Sequence, residues 1–366
     1  MRRFALMCLL CAALAACGGN PPPPTQTPTP IPTPTLIVEG EELPLGTLIL
    51  SQLNQQIAQR PDGRQIRLGE DRYGAQASPN GRYGVKFVSN GATFDLVVTD
   101  YEATPPSARP VPEGANYLAP GVTWAADSSG FAFFDFPAAL GNVAPTSART
   151  LRYFDVAAGQ TRTLITEAAQ NRVVAAIAFS PDGRYLLYTV SDAQAEGVGG
   201  PGAAAFVLNM TTGSSFPLTG VSLLGFAGWL RDSSGFLTLR IDPKTGNNGV
   251  VLYRLNALAQ PARLTPSEVA DFLVSTSPDG RRLIVSSSVE GIPALFMMNT
   301  DGTGRRQIAT FNAPNTVITG LVWGNDGLYY SLAGTGNLDT VWRADLDGKN
   351  AAQIGIGTLL AVIGAR

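Results

Sequence analysis

The 366-residue sequence contains no histidine. Without an imidazole, this chain cannot assemble a Ser-His-Asp or Cys-His nucleophilic system, and zinc and non-haem iron sites that use histidine are excluded as well. Cysteine is nearly absent too, because the three cysteines, Cys8, Cys11 and Cys17, all lie at the N-terminus. The remainder of the chain therefore has no thiol for a disulfide or a soft-metal site.

Charge is also sparse, since Asp, Glu, Lys and Arg make up only 15% of the residues. The formal net charge is −2. Removal of residues 1–16 as a signal peptide takes away two basic residues, Arg2 and Arg3, and no acid, which changes the net charge to −4. A weakly acidic chain lacks the basic surface typical of nucleic-acid binding, so we expect no nucleic-acid partner.

A turn motif recurs six times at nearly even intervals, most fully as Ser-Pro-Asp-Gly-Arg at residues 180–184. Proline presets φ, the acid or amide hydrogen-bonds to the local backbone and glycine accepts positive φ, so each copy predicts a tight reversal between two strands. The acid or amide residues, here called the turn anchors, are Asn80, Asp127, Asp182, Asp232, Asp279 and Asp326. Their spacings of 47, 55, 50, 47 and 47 residues are typical of propeller blades or solenoid repeats.

Each anchor is followed by a short run rich in aromatic and β-branched residues, as in a strand. These runs are residues 83–88, 131–136, 185–190, 236–241, 283–288 and 328–332. One strand before each anchor and two further strands after the run give four strands per repeat. Four-stranded repeats predict an all-β fold with a single β-propeller. A helical solenoid is excluded because Gly and Pro recur too often.

The number of blades follows from how the ring can close. Residues 47–51, 56–59 and 65–68 predict three strands ahead of the first anchor, and residues 358–363 predict one strand with no turn after it. Together the two ends would complete a seventh blade. Residues 36–366 divided by seven give about 47 residues per blade, the commonest spacing. We therefore predict seven blades in preference to six.

These turns and strands resemble the TolB-like β-propeller family, and more broadly WD-repeat-like propellers, over residues 45–366. The resemblance implies the propeller architecture. TolB carries an α/β domain ahead of its propeller, whereas this chain has a different N-terminal segment, so the resemblance does not extend to TolB's partners.

That N-terminal segment has the pattern of an export signal: basic residues at 2–3, an apolar run at 4–13 and then Leu-Ala-Ala-Cys at 14–17. The last four residues resemble a bacterial lipobox, which implies cleavage before Cys17 and a lipid on its sulfur. The apolar run is too short to span a membrane. Acyl chains on Cys17 would give firm attachment, so we expect an extracytoplasmic protein anchored to a bacterial cell membrane.

We divide the chain into a signal peptide (1–16), a lipidated cysteine with a Pro/Thr-rich linker (17–44) and a propeller (45–366). The Thr-Pro repeats favour polyproline II, whose rise of about 3.1 Å per residue would make a stalk of roughly 45 Å. A ligand for a proline-recognising domain is the alternative interpretation of the linker.

Three patterns that resemble ligand sites are better explained by turns or by a connection between strands. Residues 197–202 match G-x-G-x-x-G but lack the preceding strand and following helix of a dinucleotide site. Residues 345–350 begin like a calcium loop, yet no acid follows in 351–357. The anchor acids recur at the same place in each repeat, which favours turn chemistry over the carboxylate pairs of glycosidases. We therefore assign no catalytic residue, metal ligand or cofactor.

Trp124, Trp229 and Trp323 each lie three residues before an anchor, in alternate repeats. We predict that they pack between blades, with a sugar-stacking platform as the alternative.

Ligands of propellers usually meet the face formed by the loops between blades and the loops joining second and third strands. Several such loops are long here, and long loops on a rigid scaffold often carry function. The candidate binding residues in these loops are Arg72, Tyr73, Tyr117, Asp192, Glu196, Asp242, Lys244 and Asp339.

The function predicted from the sequence is non-catalytic: a monomeric, membrane-anchored propeller that binds a protein or an envelope polymer on one face. One alternative is a propeller enzyme that acts on carbohydrate through Asp/Glu pairs near the channel. Another is a calcium- or solute-binding envelope protein. An enzyme should gather acids in one pocket, whereas a scaffold should present a broad, mixed face.

Overall fold

In the computed structural model the chain forms seven sheets, antiparallel apart from one short parallel strand in the last blade, arranged as a seven-bladed β-propeller. The predicted fold class and the preference for seven blades are confirmed. The described residues are 35–36, 44, 46–52, 55–67, 76–80, 82–89, 94–100, 102–105, 107–116, 122–135, 149–167, 172–192, 203–218, 225–289, 291–311, 316–333 and 339–362. Within these ranges the single helical element is the 3-10 turn Leu255–Ala257.

The strands run in chain order through the seven blades, with four in most blades and five in blade 7. They are β1 (Thr35–Leu36), β2 (Leu48–Gln52), β3 (Gln55–Gln59) and β4 (Gln65–Arg67) of blade 7; β5 (Gln76–Ala77), β6 (Tyr83–Ser89), β7 (Phe94–Asp100) and β8 (Ser107–Asn116) of blade 1; β9 (Thr123–Trp124), β10 (Gly130–Asp135), β11 (Arg149–Asp155) and β12 (Gln160–Glu167) of blade 2; β13 (Arg172–Phe179), β14 (Tyr185–Asp192), β15 (Ala204–Asn209) and β16 (Ser215–Leu218) of blade 3; β17 (Gly225–Trp229), β18 (Gly235–Ile241), β19 (Asn248–Arg254) and β20 (Ala262–Arg263) of blade 4; β21 (Ala270–Thr276), β22 (Arg282–Val289), β23 (Ile292–Asn299) and β24 (Arg306–Thr310) of blade 5; β25 (Ile318–Trp323), β26 (Leu328–Leu332), β27 (Thr340–Ala344) and β28 (Ala352–Ile356) of blade 6; and β29 (Thr358–Val362) of blade 7.

Blade 7 closes the ring as the sequence predicted. Its innermost strand, β29, pairs antiparallel with β2, and β3 and β4 follow outward. The apolar spacing in residues 50–57 also fits a helix, but these residues lie in β2, β3 and the short connection between them. Two residues of the segment assigned to the linker form β1, which pairs in parallel with β4.

Glutamine side chains of blade 7 strengthen the closure. The amide of Gln52 donates to the carbonyl of Ile356, and that of Gln59 donates to the carbonyl of Ile354, both on β28 of blade 6. Gln65 in turn donates to Gln59 Oε1 at 3.0 Å within the buried interior. Blade 7 is therefore tied to blade 6 by polar contacts as well as by strand packing.

The hydrophobic core consists of layers between successive blades. Phe131, Phe133 and Phe154 of blade 2, for example, are buried against Val85 and Leu96 of blade 1. Equivalent clusters occupy the other junctions from blade 2 through blade 7. The second strand of a blade contacts other sheets on both faces, which explains why β18 is buried over five consecutive residues and shows no alternation.

The turn anchors satisfy local backbone and hydroxyl donors. Asp182 Oδ1 accepts hydrogen bonds from Ser180 Oγ at 2.7 Å and from the Arg184 amide at 3.1 Å, and Arg184 Nε donates to Oδ2 at 2.6 Å. Burial raises the pKa of Asp182, but the hydrogen bonds from Ser180 and Arg184 outweigh it and lower the pKa to about 2. The other anchors accept comparable bonds: Asn80 from Ser78 and Arg82, Asp127 from Ser129, Asp232 from Ser234, Asp279 from Ser277 and Arg281, and Asp326 from Tyr329 and Arg343.

The turns also bind one another across blades. Ser128 and Ser233 adopt left-handed φ angles of 63° and 59°, a conformation that costs an L-residue about 1–2 kcal/mol. Their hydroxyls accept hydrogen bonds from the backbone amides of Asn80 and Asp182 in the preceding blades, at 3.1 and 3.2 Å. These bonds between blades offset the cost of the strained turns.

The three tryptophans pack at the same junctions, against the blade that precedes each of them. The ring of Trp124 stacks on Tyr83 at 6.2 Å, Trp229 stacks on Tyr185 at 6.4 Å, and the guanidinium of Arg282 lies 5.1 Å from the ring of Trp323. Trp229 and Trp323 are 8% and 2% exposed, so their faces are not available as a platform for sugars.

Acid titration tests the anchor contacts. An unfolded Asp titrates near pH 4, whereas Asp182 in the fold titrates at about 2. Because the folded pKa is the lower one, the ionised carboxylate stabilises the fold fully above pH 4, and this contribution is lost as the pH falls from 4 to 2. We expect Asp182→Asn to show a shallower fall in the free energy of unfolding over that window than the wild type.

The measurement is urea unfolding at several pH values between 4 and 2. Asn80 occupies the same position in blade 1, so an amide is compatible with the turn. Asn80→Ala is the matched control, because it removes the corresponding side-chain acceptor in blade 1 and no carboxylate; its slope should match the wild type. An unchanged slope in Asp182→Asn would contradict this assignment.

Candidate binding face

The two faces of the ring differ in the connections that form them. The anchor turns and the turns joining third and fourth strands lie on one face, here called the turn face. The loops joining second and third strands and the connections between blades lie on the other, here called the loop face. The first strands of blades 2–7 contact one another in succession around the centre, and the loop face surrounds one mouth of the central channel that a propeller has.

The predicted binding residues that the structure describes all belong to the loop face. Asp242 and Lys244 follow the second strand of blade 4, Asp339 precedes the third strand of blade 6, and Asp192 ends the second strand of blade 3. Arg72, Tyr73, Tyr117 and Glu196 lie outside the described residues, as does Cys17. The four described candidates lie in three different blades, blades 3, 4 and 6.

Asp242 holds the shape of its loop. Its Oδ1 accepts a hydrogen bond from the Lys244 amide at 2.8 Å, and Arg263 Nη1 lies 3.6 Å from its Oδ2. The backbone bond from Lys244 is the main cause that lowers the pKa of Asp242. The side chain of Lys244 is exposed on the same loop and is the member of this pair available to a partner.

Asp339 joins two blades at the mouth of the channel. Its Oδ2 accepts hydrogen bonds from Thr319 Oγ1 on β25 at 2.6 Å and from Thr358 Oγ1 on β29 at 2.9 Å. Its carbonyl accepts a bond from the Gly357 amide at 2.7 Å. Asp339, predicted as a binding residue, thus also links blade 6 to the closing blade.

The innermost strands of other blades are linked in a similar way. Thr123 donates to the Ala176 carbonyl, Trp229 Nε1 to the Ala178 carbonyl, Thr276 to the Ala227 carbonyl, and the Trp323 amide to Ser275 Oγ, at 3.1–3.3 Å. With Asp339, these bonds join successive blades from blade 2 to blade 7. The channel wall is consequently a rigid support for the loop face.

The most distinctive feature of the loop face is apolar, and the sequence analysis missed it. Among the described residues six large apolar side chains are exposed: Val88, Phe216, Ile241, Phe272, Ile292 and Val317. Four of them lie at the loop-face ends of strands in blades 4–6. We call this group, Ile241, Phe272, Ile292 and Val317, the apolar band.

A β-bulge exposes the aromatic member of the band. Asp271 pairs with Ser287 and Leu273 pairs with Ser286, so Phe272 has no cross-strand partner on β22. A bulged residue turns out of the regular alternation of a strand, and Phe272 is 53% exposed. The sequence held no signal for this, because the bulge depends on the register between β21 and β22.

Acidic clusters and long apolar helices are not found in the described part of the chain. No group of three or more Asp, Glu or Cys side chains there is placed to hold a metal ion. No helix within the same ranges is long and apolar enough to cross a membrane.

Comparison with known proteins places the fold. Neither a protein-family model nor a curated protein matches the chain. A structure from a study of two prolyl endopeptidases matches with a TM-score of 0.63 and 14% identity, over 86% of this chain and 50% of that one. Prolyl oligopeptidase B from Galerina marginata, bound to a 35mer hydrolysis and macrocyclization substrate, matches at 0.59 and 12%, over 86% and 49%.

The chain thus spans about half the length of the prolyl peptidase structures it matches. At this identity these likenesses show a shared fold alone. TolB from Acinetobacter baumannii also matches, with a TM-score of 0.45 and 15% identity over 80% of this chain and 64% of that one. The chain is a seven-bladed β-propeller that has TolB proteins among its structural neighbours.

Proposed function

We propose that this chain is a non-catalytic scaffold, attached outside the bacterial cytoplasm by a lipid on Cys17, that binds a protein on its loop face. The observation that carries the proposal is the apolar band across blades 4–6. A contiguous exposed apolar patch is typical of an interaction site, and the proposal takes the four side chains of the band as parts of one such patch. Burial of a Phe or Ile side chain contributes about 1.5–3 kcal/mol, so a partner that covers Phe272 and its neighbours would gain specific affinity.

The composition supports binding over catalysis. The chain has no histidine, so it cannot by itself form the Ser-His-Asp system used by many hydrolases. The loop face carries apolar side chains together with Lys244 and partly exposed acids. This mixture is typical of a protein interface with an apolar centre and a polar rim.

The binding proposal is tested by recovery of partners from solubilised cell envelope on immobilised protein. We expect Phe272→Ser to reduce partner recovery at least about tenfold, because an aromatic residue at the centre of an interface is often worth 2 kcal/mol or more. Phe216→Ser is the matched control, since Phe216 is similarly exposed, at 46% against 53%, but lies on the outer strand β16.

Equal recovery with Phe272→Ser and the wild type would refute the loop-face proposal, as would a selective loss with Phe216→Ser. Thermal unfolding of both variants checks that the ring is intact. A glycan array with the same proteins distinguishes an envelope polymer from a protein as the partner. If the wild type captures a glycan and no protein, and Phe272→Ser no longer captures that glycan, the loop face binds the polymer.

The lipid proposal has a separate test. We expect the wild-type protein to incorporate labelled palmitate and Cys17→Ser to incorporate none, because the thioether requires the Cys17 sulfur. Cys11→Ser is the control and should be labelled like the wild type, since Cys11 lies in the segment predicted to be removed. Label retained in Cys17→Ser would show that the lipid is attached elsewhere.

A further inference from the structure

A small cavity lies on the turn face, between blades 1 and 2 and away from the apolar band. Its volume is about 220 Å³, and it is lined by Tyr83, Val98, Asp100, Ser107, Arg109 and Val156. Sites for drug-sized ligands are typically about 300–1,000 Å³. This cavity therefore fits a small molecule or one end of a larger one.

Strand pairing fixes the walls of the cavity. Tyr83 pairs with Asp100, and Asp100 pairs with Ser107, which makes one row across β6, β7 and β8. Val98 pairs with Arg109 in the row two residues further along. Paired residues share a face of the sheet, so these five side chains project from one side of blade 1, and Val156 of blade 2 faces them. The cavity is thus built on strands, which position side chains more accurately than loops do.

The acid in the wall, Asp100, already accepts hydrogen bonds from Arg82 and Glu102. Arg82 donates to Asp100 through Nε at 3.1 Å and Nη2 at 2.8 Å, and the Glu102 amide donates at 3.1 Å. The side-chain bond from Arg82 is the main cause that lowers the pKa of Asp100. Asp100 therefore stays ionised, and its negative charge is balanced by Arg82, so it has little capacity left to hold a cation.

The guanidinium in the wall, that of Arg109, by contrast has N–H donors that make no hydrogen bond within the described part of the protein. Arg109 donates through Nη2 to the carbonyl of Val156 and lies 5.5 Å from the ring centre of Phe154. None of the ion pairs formed among the described residues includes Arg109. A guanidinium has five N–H donors in a planar fork that fits a carboxylate. Contacts with blade 2 hold this fork in place while leaving donors for a ligand.

We propose that the cavity binds a carboxylate group with a small apolar body, through Arg109. In this arrangement Arg109 donates to the carboxylate oxygens and Ser107 supplies a hydroxyl donor, while Val98 and Val156, which are 2% and 5% exposed, offer a small apolar contact to the adjoining carbon atoms. A dianionic phosphate is disfavoured because Arg109 is the one cation among the lining residues, and a single guanidinium does not balance two negative charges. The carboxylate can belong to a free organic acid or to the C-terminus of a peptide, and this site is independent of the loop face.

The test is calorimetric titration of the propeller with N-acetyl-valine and with N-acetyl-valinamide, which differ only in the carboxylate. We expect the acid to bind at least about tenfold more tightly than the amide, since hydrogen bonds to charged groups contribute about 1.5–3 kcal/mol. Inorganic phosphate should bind more weakly than the acid. A tripeptide with a free C-terminus is titrated as well, with its amide as the control. If the tripeptide binds more tightly than N-acetyl-valine, the ligand is a peptide, and if the two bind equally, the ligand is a small acid.

Variants locate the site. Arg109→Gln should weaken binding of the acid at least about tenfold. The affinity of Arg109→Lys for the acid should lie between that of the wild type and that of Arg109→Gln. Arg162→Gln is the matched control, because Arg162 also lies over an aromatic ring, that of Tyr153 at 5.2 Å, but does not line the cavity. Ser107→Phe, at an exposed position, should block the cavity and abolish binding even if Arg109→Gln is poorly folded.

Three results would overturn the proposal. These are equal binding of acid and amide, no loss of binding in Ser107→Phe, and phosphate binding as tight as that of the acid. Retention of wild-type binding in a folded Arg109→Gln would also refute it.

Discussion

The rest of the structure depends on hydrogen bonds that cross from one blade to the next. A single four-stranded blade cannot bury its own faces, so each is stable only against a neighbour. The apolar layers supply most of the favourable free energy, but they are not directional. The bonds from Asp182 to Ser233, from Thr276 to Ala227 and through Asp339 fix how successive blades align. Each such bond contributes only about 0.5–1.5 kcal/mol, yet with their counterparts at the other junctions these bonds align the blades in succession from blade 1 to blade 7.

This rigid ring separates two surfaces that have different chemistry. The loop face exposes the apolar band, which includes a phenylalanine displaced from its strand by a bulge. The turn face is formed by turns whose anchor side chains accept local hydrogen bonds. It contains the cavity at Arg109, where a guanidinium retains N–H donors for a ligand. In our proposals this scaffold binds a large partner on one side and a small carboxylate on the other.

Local chemistry made much of the fold predictable from the sequence. Pro, Asp and Gly at the anchors specify turns wherever they occur, and residues 328–332 form β26 with the predicted bounds. Closure could be inferred because a ring must pair its two ends. The candidate site was less predictable. The exposure of Phe272 depends on strand register, and the Arg109 cavity depends on packing between blades. The contacts of Asp339 with two innermost strands depend on which strands are neighbours in the fold, which the sequence does not reveal.

The central claim is that the blades form one cooperative ring closed by β29 on β2. Native-state hydrogen exchange measured by mass spectrometry tests it most directly. If the ring is closed in this way, the amides of β2 and β29 should exchange only through the global opening that also exposes β22 in blade 5. Exchange of β2 and β29 that is orders of magnitude faster than that of β22 would show that blade 7 opens on its own and would contradict the account.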